Sequence, residues 1–160
     1  MAIVRDNLRR HAETNPNSLE TFGSAINLCM MLNAKQQCGE TKRLLPDYIR
    51  AAAQGLGEEH IMTLRLRLTL EEARFKDDAA TLDDVRAAVE SLSDLTDVFG
   101  RVFGGGVPLP FFGNNATHPQ TTLTWQVYLQ AIRKRDKMLF DPAATTINRC
   151  VRKFLESRRR

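Results

Sequence analysis

Between Leu82 and Phe103 the chain carries one unbroken apolar stripe that has to be covered by something else. Leu82, Val85, Val89, Leu92, Leu95, Phe99, Val102 and Phe103 recur at intervals that put them on one face of an α-helix. Thr81 stands before it as an N-cap. Asp83 and Asp84 follow in the first turn, where carboxylates suit the positive end of the helix dipole. Gly104, Gly105 and Gly106 end the helix. With the segment before it, from Leu56, this makes one helix–turn–helix unit over Leu56–Gly106. Such a unit cannot bury its own stripe, so the rest of the chain must stack on it.

The first half of that unit, Thr63 to Lys76, is ambiguous by pattern. Leu64, Leu66, Leu68 and Leu70 alternate with Arg65, Arg67 and Thr69, which is how a half-buried strand reads. The same residues also fall on helical rows: Leu64, Leu68, Glu71 and Phe75 on one, Leu66, Leu70 and Ala73 on the next. The Glu-Glu-Ala-Arg continuation favours a helix, and so does the helical context on both sides.

The remaining segments read as helices too. Residues 3–13 form a short helix with Ile3, Val4 and Leu8. It resembles the second half of a hairpin, which suggests a chain that starts inside a repeat array. Asn15-Pro16-Asn17-Ser18 is a turn that caps a helix to about Ala34, with Leu19, Phe22, Ile26, Cys29 and Met30 on its stripe. A loop over 36–39 precedes a helix from about Glu40 to Gln54, with Pro46 in its first two turns. After Gly106 comes a loop, Val107 to Thr117, with adjacent Phe111 and Phe112. Loops of this length either pack back or reach a partner. A helix then runs from His118 to about Lys137. Asp141 and Pro142 read as the cap and first residue of a separate last helix ending at Ser157.

A chain of 160 residues with 42% apolar content is expected to form one packed domain. Its charge is polarised. Leu56–Gly100 holds eleven acidic and five basic residues, whereas His118–Arg160 holds ten basic and three acidic. Cys29, Cys38 and Cys150 lack metal-ligand spacing, and no apolar run reaches the ~20 residues of a membrane span. The first residues carry charge and no apolar leader segment. A cytoplasmic or other reducing intracellular compartment is therefore expected, without membrane insertion. No enzyme, cofactor or metal is expected either. No phosphate-cradling loop is present, because Gly104–Gly106 has no following Lys-Ser/Thr. His60 and His118 sit in matching turns, and Glu58-Glu59-His60 are neighbours whose side chains point apart.

Those turns carry the organisation of the chain. Asn15-Pro16-Asn17-Ser18, His60-Ile61-Met62-Thr63 and His118-Pro119-Gln120-Thr121 each follow one helix and open another, at spacings of 45 and 58 residues. Helical hairpins recurring at such a period are the mark of an α-solenoid. Leu56-Gly57-Glu58-Glu59-His60 with Met62-Thr63-Leu64 resembles the inter-repeat segment of tetratricopeptide repeats of the kinesin-light-chain type. Asn27-Leu28-Cys29 is similar to the Asn-Leu-Ala of that family's first helix, and Asp77 to Asp84 resembles an inter-helix turn of related repeats. Ile61 stands where the family usually has proline. The 107–117 loop and the helix from Asp141 depart from its pattern.

The resemblance covers about residues 15–135. It implies an all-α, right-handed solenoid of stacked hairpins over 15–57, 58–106 and 118–157, with a C-terminal capping helix. It further implies a non-catalytic adaptor or structural subunit that binds partner peptides or helices on the concave face. The expected contacts are Glu20, Ser24 and Asn27, then Arg65, Arg67 and Glu72, then Gln126 and Gln130, with Phe111 and Phe112 as an exposed apolar contact. The competing expectation is nucleic-acid binding through Arg133, Lys134, Arg135, Lys137, Arg149, Arg152, Lys153 and the final arginines.

Overall fold

The computed structural model describes residues 1–103 and 119–157, with side chains as far as 142 and at Thr146. Six helices make up the described residues, and no strand occurs among them: α1 (Ala2–Thr14), α2 (Leu19–Ala34), α3 (Cys38–Leu56), α4 (Ile61–Lys76), α5 (Leu82–Phe103) and α6 (Pro119–Ser157). The chain is all-α. No helix among the described residues is long and apolar enough to cross a membrane.

Three helix starts follow from local chemistry. Ser18 caps α2, its hydroxyl accepting from the Thr21 N–H at 3.2 Å. His60 caps α4, its Nδ1 accepting from the Met62 N–H at 3.2 Å. Thr81 and Asp84 form a reciprocal box before α5: the Thr81 N–H donates to Asp84 at 2.9 Å, and the Asp84 N–H donates to the Thr81 hydroxyl at 3.2 Å. The first two turns share a further lock. Thr21 and Thr63, both fully buried, donate their hydroxyls back to the carbonyls of Asn15 and Gly57, at 2.7 and 2.8 Å.

That shared lock resets the internal register. The matching turns in the sequence pair Ser18 with Thr63, 45 positions apart. The capping geometry aligns Ser18 with His60 and Thr21 with Thr63, 42 positions apart. The three-residue difference is one helical turn, which an apolar stripe tolerates and a capping hydroxyl does not.

Two other expectations are corrected. α3 begins at Cys38, so Pro46 is its ninth residue and lies in the interior. There it removes the N–H that would reach the Lys42 carbonyl. The break expected at Asp141–Pro142 does not occur, because α6 is one helix of 39 residues that runs through Pro142. The Asp-Pro pair is a good helix start, but a helix already under way can continue past a proline at the cost of one hydrogen bond. The 107–117 loop, with Phe111 and Phe112, lies outside the described residues, as does His118.

Each helix packs on the next in sequence as far as α5, and α5 packs on α6. In addition α2 packs on α4 and α4 on α6, whereas α3 and α5 do not pack on one another, and α1 reaches α3 through the Arg5–Glu40 ion pair at 2.7 Å. α2, α4 and α6 therefore form a continuous row, with α1, α3 and α5 set against it.

The central helix α4 serves two cores. Leu66 and Leu70 join Phe22, Ile26, Leu32 and Leu45 in one cluster. Leu64, Leu68 and Phe75 join Val85, Leu92, Phe99 and Val127 in another. Two residues along a helix turn through about 200°. Alternate leucines thus point to opposite sides and face opposite cores. This is why a helix carries a strand-like pattern. Asn33, 2% exposed, ties the row together by donating from Nδ2 to the Thr69 carbonyl at 3.2 Å.

Candidate functional site

The α2–α4–α6 row leaves a shallow groove of about 70 Å³ on its open side. α2 contributes Ile26 and Met30, α4 contributes Arg65, Leu68, Thr69 and Glu72, and α6 contributes Leu123 and Val127. Met30 is 45% exposed and Leu123 37%. Apolar surface therefore reaches solvent beside charge. Glu72 accepts from Lys76 at 2.6 Å across one helical turn. Gln130 follows Leu123 and Val127 at helical spacing, and both Gln126 and Gln130 are exposed. Trp125 and Tyr128 stack edge to face, with ring centres 5.6 Å apart.

The other expected contacts lie elsewhere. Ser24 turns toward α1, its hydroxyl 3.4 Å from His11 Nδ1. Glu20 lines a separate hollow of about 260 Å³ with His11, Thr14, Asn15 and Ser18. Its own backbone N–H and the Ser18 hydroxyl hold its carboxyl below the usual carboxylate range. Asn27 is exposed on α2. Arg67 does not accompany Arg65. Two residues on, it faces the far side of α4, where it pairs with Glu58. Phe111 and Phe112 lie outside the described residues.

A larger cleft of about 470 Å³ opens on that far side. α3 and α5 do not meet, so the face of α4 between them forms its floor. Glu58, Glu59, Arg67, Glu71 and Asp94 supply its charge. Glu71 is the residue that the sequence reading overlooked as a site. It is 6% exposed, and burial pushes its carboxyl above the usual range against the opposing pull of Arg74. Arg74 donates to its Oε1 at 2.8 Å. Its Oε2 is buried and finds no donor among the described residues. The signal was in the row Leu64, Leu68, Glu71, Phe75: one acid at a core position.

The remaining polar groups serve the scaffold. His60 is a helix cap. Lys42 pairs with Asp77, and Lys134 donates to the Asp77 carbonyl at 2.9 Å, so both bind the α4–α5 turn. Arg135 pairs with Asp136 at 2.8 Å, leaving Arg133 and Lys137 as exposed bases on the side-chain-resolved part of α6. Arg149, Arg152, Lys153 and the final arginines lie beyond the described side chains. Burial raises the Cys29 thiol to about 11 and also raises Cys38, so both are protonated at neutral pH and poor nucleophiles. Among the described residues no three His, Cys, Asp or Glu side chains are grouped to hold a metal. Comparison with protein-family models, with curated proteins and with solved structures finds no match to this chain.

Proposed function

We propose that this chain is a right-handed α-solenoid of tetratricopeptide type that acts as a non-catalytic protein-binding module. Its partner, an extended peptide or a helix, lies on the concave face formed by α2, α4 and α6. The observation that carries this reading is the row itself. Three first helices stack directly on one another and present Met30, Leu123, Arg65 and Glu72 along a single open groove. A groove that mixes exposed apolar side chains with both signs of charge suits side-chain recognition of a peptide. The 42-residue register supports the repeat reading, since it falls in the range of helical repeat units. Nucleic-acid binding has less support, because Lys134 and Arg135 are engaged within the fold.

A photo-crosslinking amino acid at Met30 tests the proposal. It is expected to capture one defined protein, with the adduct lost on Arg65→Glu and retained on Arg67→Glu. Equal capture of that protein from a crosslinker at Glu90, exposed on α5, would overturn the groove assignment.

A further inference from the structure

The cleft between α3 and α5 holds a group that the fold does not need. In the 42-residue register Glu71 of α4 occupies the place that Cys29 occupies in α2. Cys29 is fully buried in an apolar core beside Thr41, whose hydroxyl reaches the Cys29 carbonyl at 3.4 Å. An apolar filler therefore satisfies this position in one hairpin, and the next hairpin carries a carboxylate. Burying a carboxylate with an unpartnered oxygen is unfavourable, so a stability argument does not account for Glu71.

The surroundings of Glu71 point to a cation. Four carboxylates line the cleft, those of Glu58, Glu59, Glu71 and Asp94, against the single guanidinium of Arg67. Arg67 is taken by Glu58, Arg101 reaches in to Glu59 at 2.6 Å, and Arg74 holds one oxygen of Glu71. Asp94 has no ion-pair partner among the described residues, and neither does Oε2 of Glu71. The walls between these acids are apolar: Ile49, Leu64, Leu70, Leu95 and Val98. A metal ion is disfavoured, because no three candidate ligands converge among the described residues. A long side chain with an apolar stem and a cationic head fits both the walls and the acids. The volume of about 470 Å³ lies within the range of ligand-holding clefts, roughly 300–1,000 Å³.

We propose that this cleft is a second docking site, separate from the α2–α4–α6 groove, that takes a lysine or arginine side chain from a basic, leucine-bearing peptide segment of a partner protein. The stem lies along Leu64, Leu95 and Val98, and the charged head sits between Asp94 and Glu71. The cationic head pairs with Asp94 at the mouth of the cleft and supplies the donor that Glu71 lacks.

The test uses the full chain and a fluorescein-labelled peptide, acetyl-Ala-Leu-Arg-Leu-Lys-Ala-amide, followed by anisotropy. Charge-assisted hydrogen bonds predict that Glu71→Gln weakens binding about tenfold or more, and that Asp94→Asn, at an exposed position, weakens it about threefold. Glu72→Gln, in the other groove, is expected to leave binding unchanged. Asp94 is exposed, so Asp94→Asn reads the site even if Glu71→Gln alters the fold. Four results would overturn the proposal. They are no binding up to about 1 mM peptide, equal binding of a peptide with glutamate in place of arginine and lysine, unchanged binding by both variants, or equal affinity for free arginine amide, which would make the site a small-molecule pocket.

Discussion

Glu71 carries a carboxylate on α4 where α2, 42 residues earlier, carries the Cys29 thiol, and this has a consequence for stability in the absence of any partner. Burial raises its pKa in the folded chain, with Arg74 opposing the shift. The folded state therefore keeps a proton that the unfolded state has already lost. Stability from this group is fully present below the ordinary carboxylate range. It is lost as pH rises through the raised pKa. The other charges on the same cleft are Glu58, Glu59, Asp94 and Arg67, and Glu71→Gln leaves all of them in place. The variant is expected to melt above the wild type at about pH 7.5. The difference is expected to shrink toward about pH 4, where the wild-type carboxyl is protonated as well. Circular-dichroism melting at both values checks this. A difference independent of pH would show that Glu71 is not the titrating group.

At the scale of elements, the turn before α4 makes a demand on the backbone that glycine meets. Gly57 adopts φ 102° and ψ 159°, a region that side-chain-bearing residues avoid. Nothing lies within 4 Å of where its Cβ would be, so the strain is purely conformational. Gly23, inside α2, meets only Met62 Cε at 3.9 Å. Gly57→Ala is therefore expected to destabilise by about 1–3 kcal/mol, and Gly23→Ala to stabilise by roughly 0.5–1 kcal/mol. Chemical denaturation of both variants decides the matter, and a stable Gly57→Ala would mean that the turn can be rebuilt without positive φ.

The helices were legible in the sequence for identifiable reasons. Thr81 and Asp84 mark the start of α5, and its buried stripe is the expected Val85, Val89, Leu92, Leu95 and Phe99. Leu19, Met30 and Val102, counted with the apolar stripes, stand exposed instead. The 42-residue correspondence of the α2 and α4 starts was not legible, because it rests on the hydroxyls of Thr21 and Thr63, and threonine at a helix start has several roles. The continuity of α6 was hidden by an Asp-Pro pair that reads as a beginning. For the site, Arg65 and Glu72 share the groove, whereas Arg67 belongs to another face. Residues two apart lie side by side in a strand reading and on opposite sides of a helix.

At the scale of the whole molecule, the division of leucines on α4 makes a claim about cooperativity. Leu66 belongs to the core shared with α2 and α3, and Leu64 to the core shared with α5 and α6. Both are fully buried, with exposures of 0% and 1%, on one helix and two residues apart. Truncating either to alanine is expected to cost about 2–5 kcal/mol. In an array whose stability comes from nearest-neighbour interfaces, the damage spreads from the interface that was cut. Leu66→Ala is then expected to speed hydrogen exchange in α2 and α3 more than in α5, and Leu64→Ala to do the reverse. α4 itself loses protection in both variants, because it is a partner in both cores. Hydrogen-exchange mass spectrometry resolves the two halves directly. If either variant opens all the described helices to the same extent, the two cores behave as one cooperative unit. A solenoid of separable hairpins would then be the wrong description, since the same contacts would be serving a globular bundle that folds all at once.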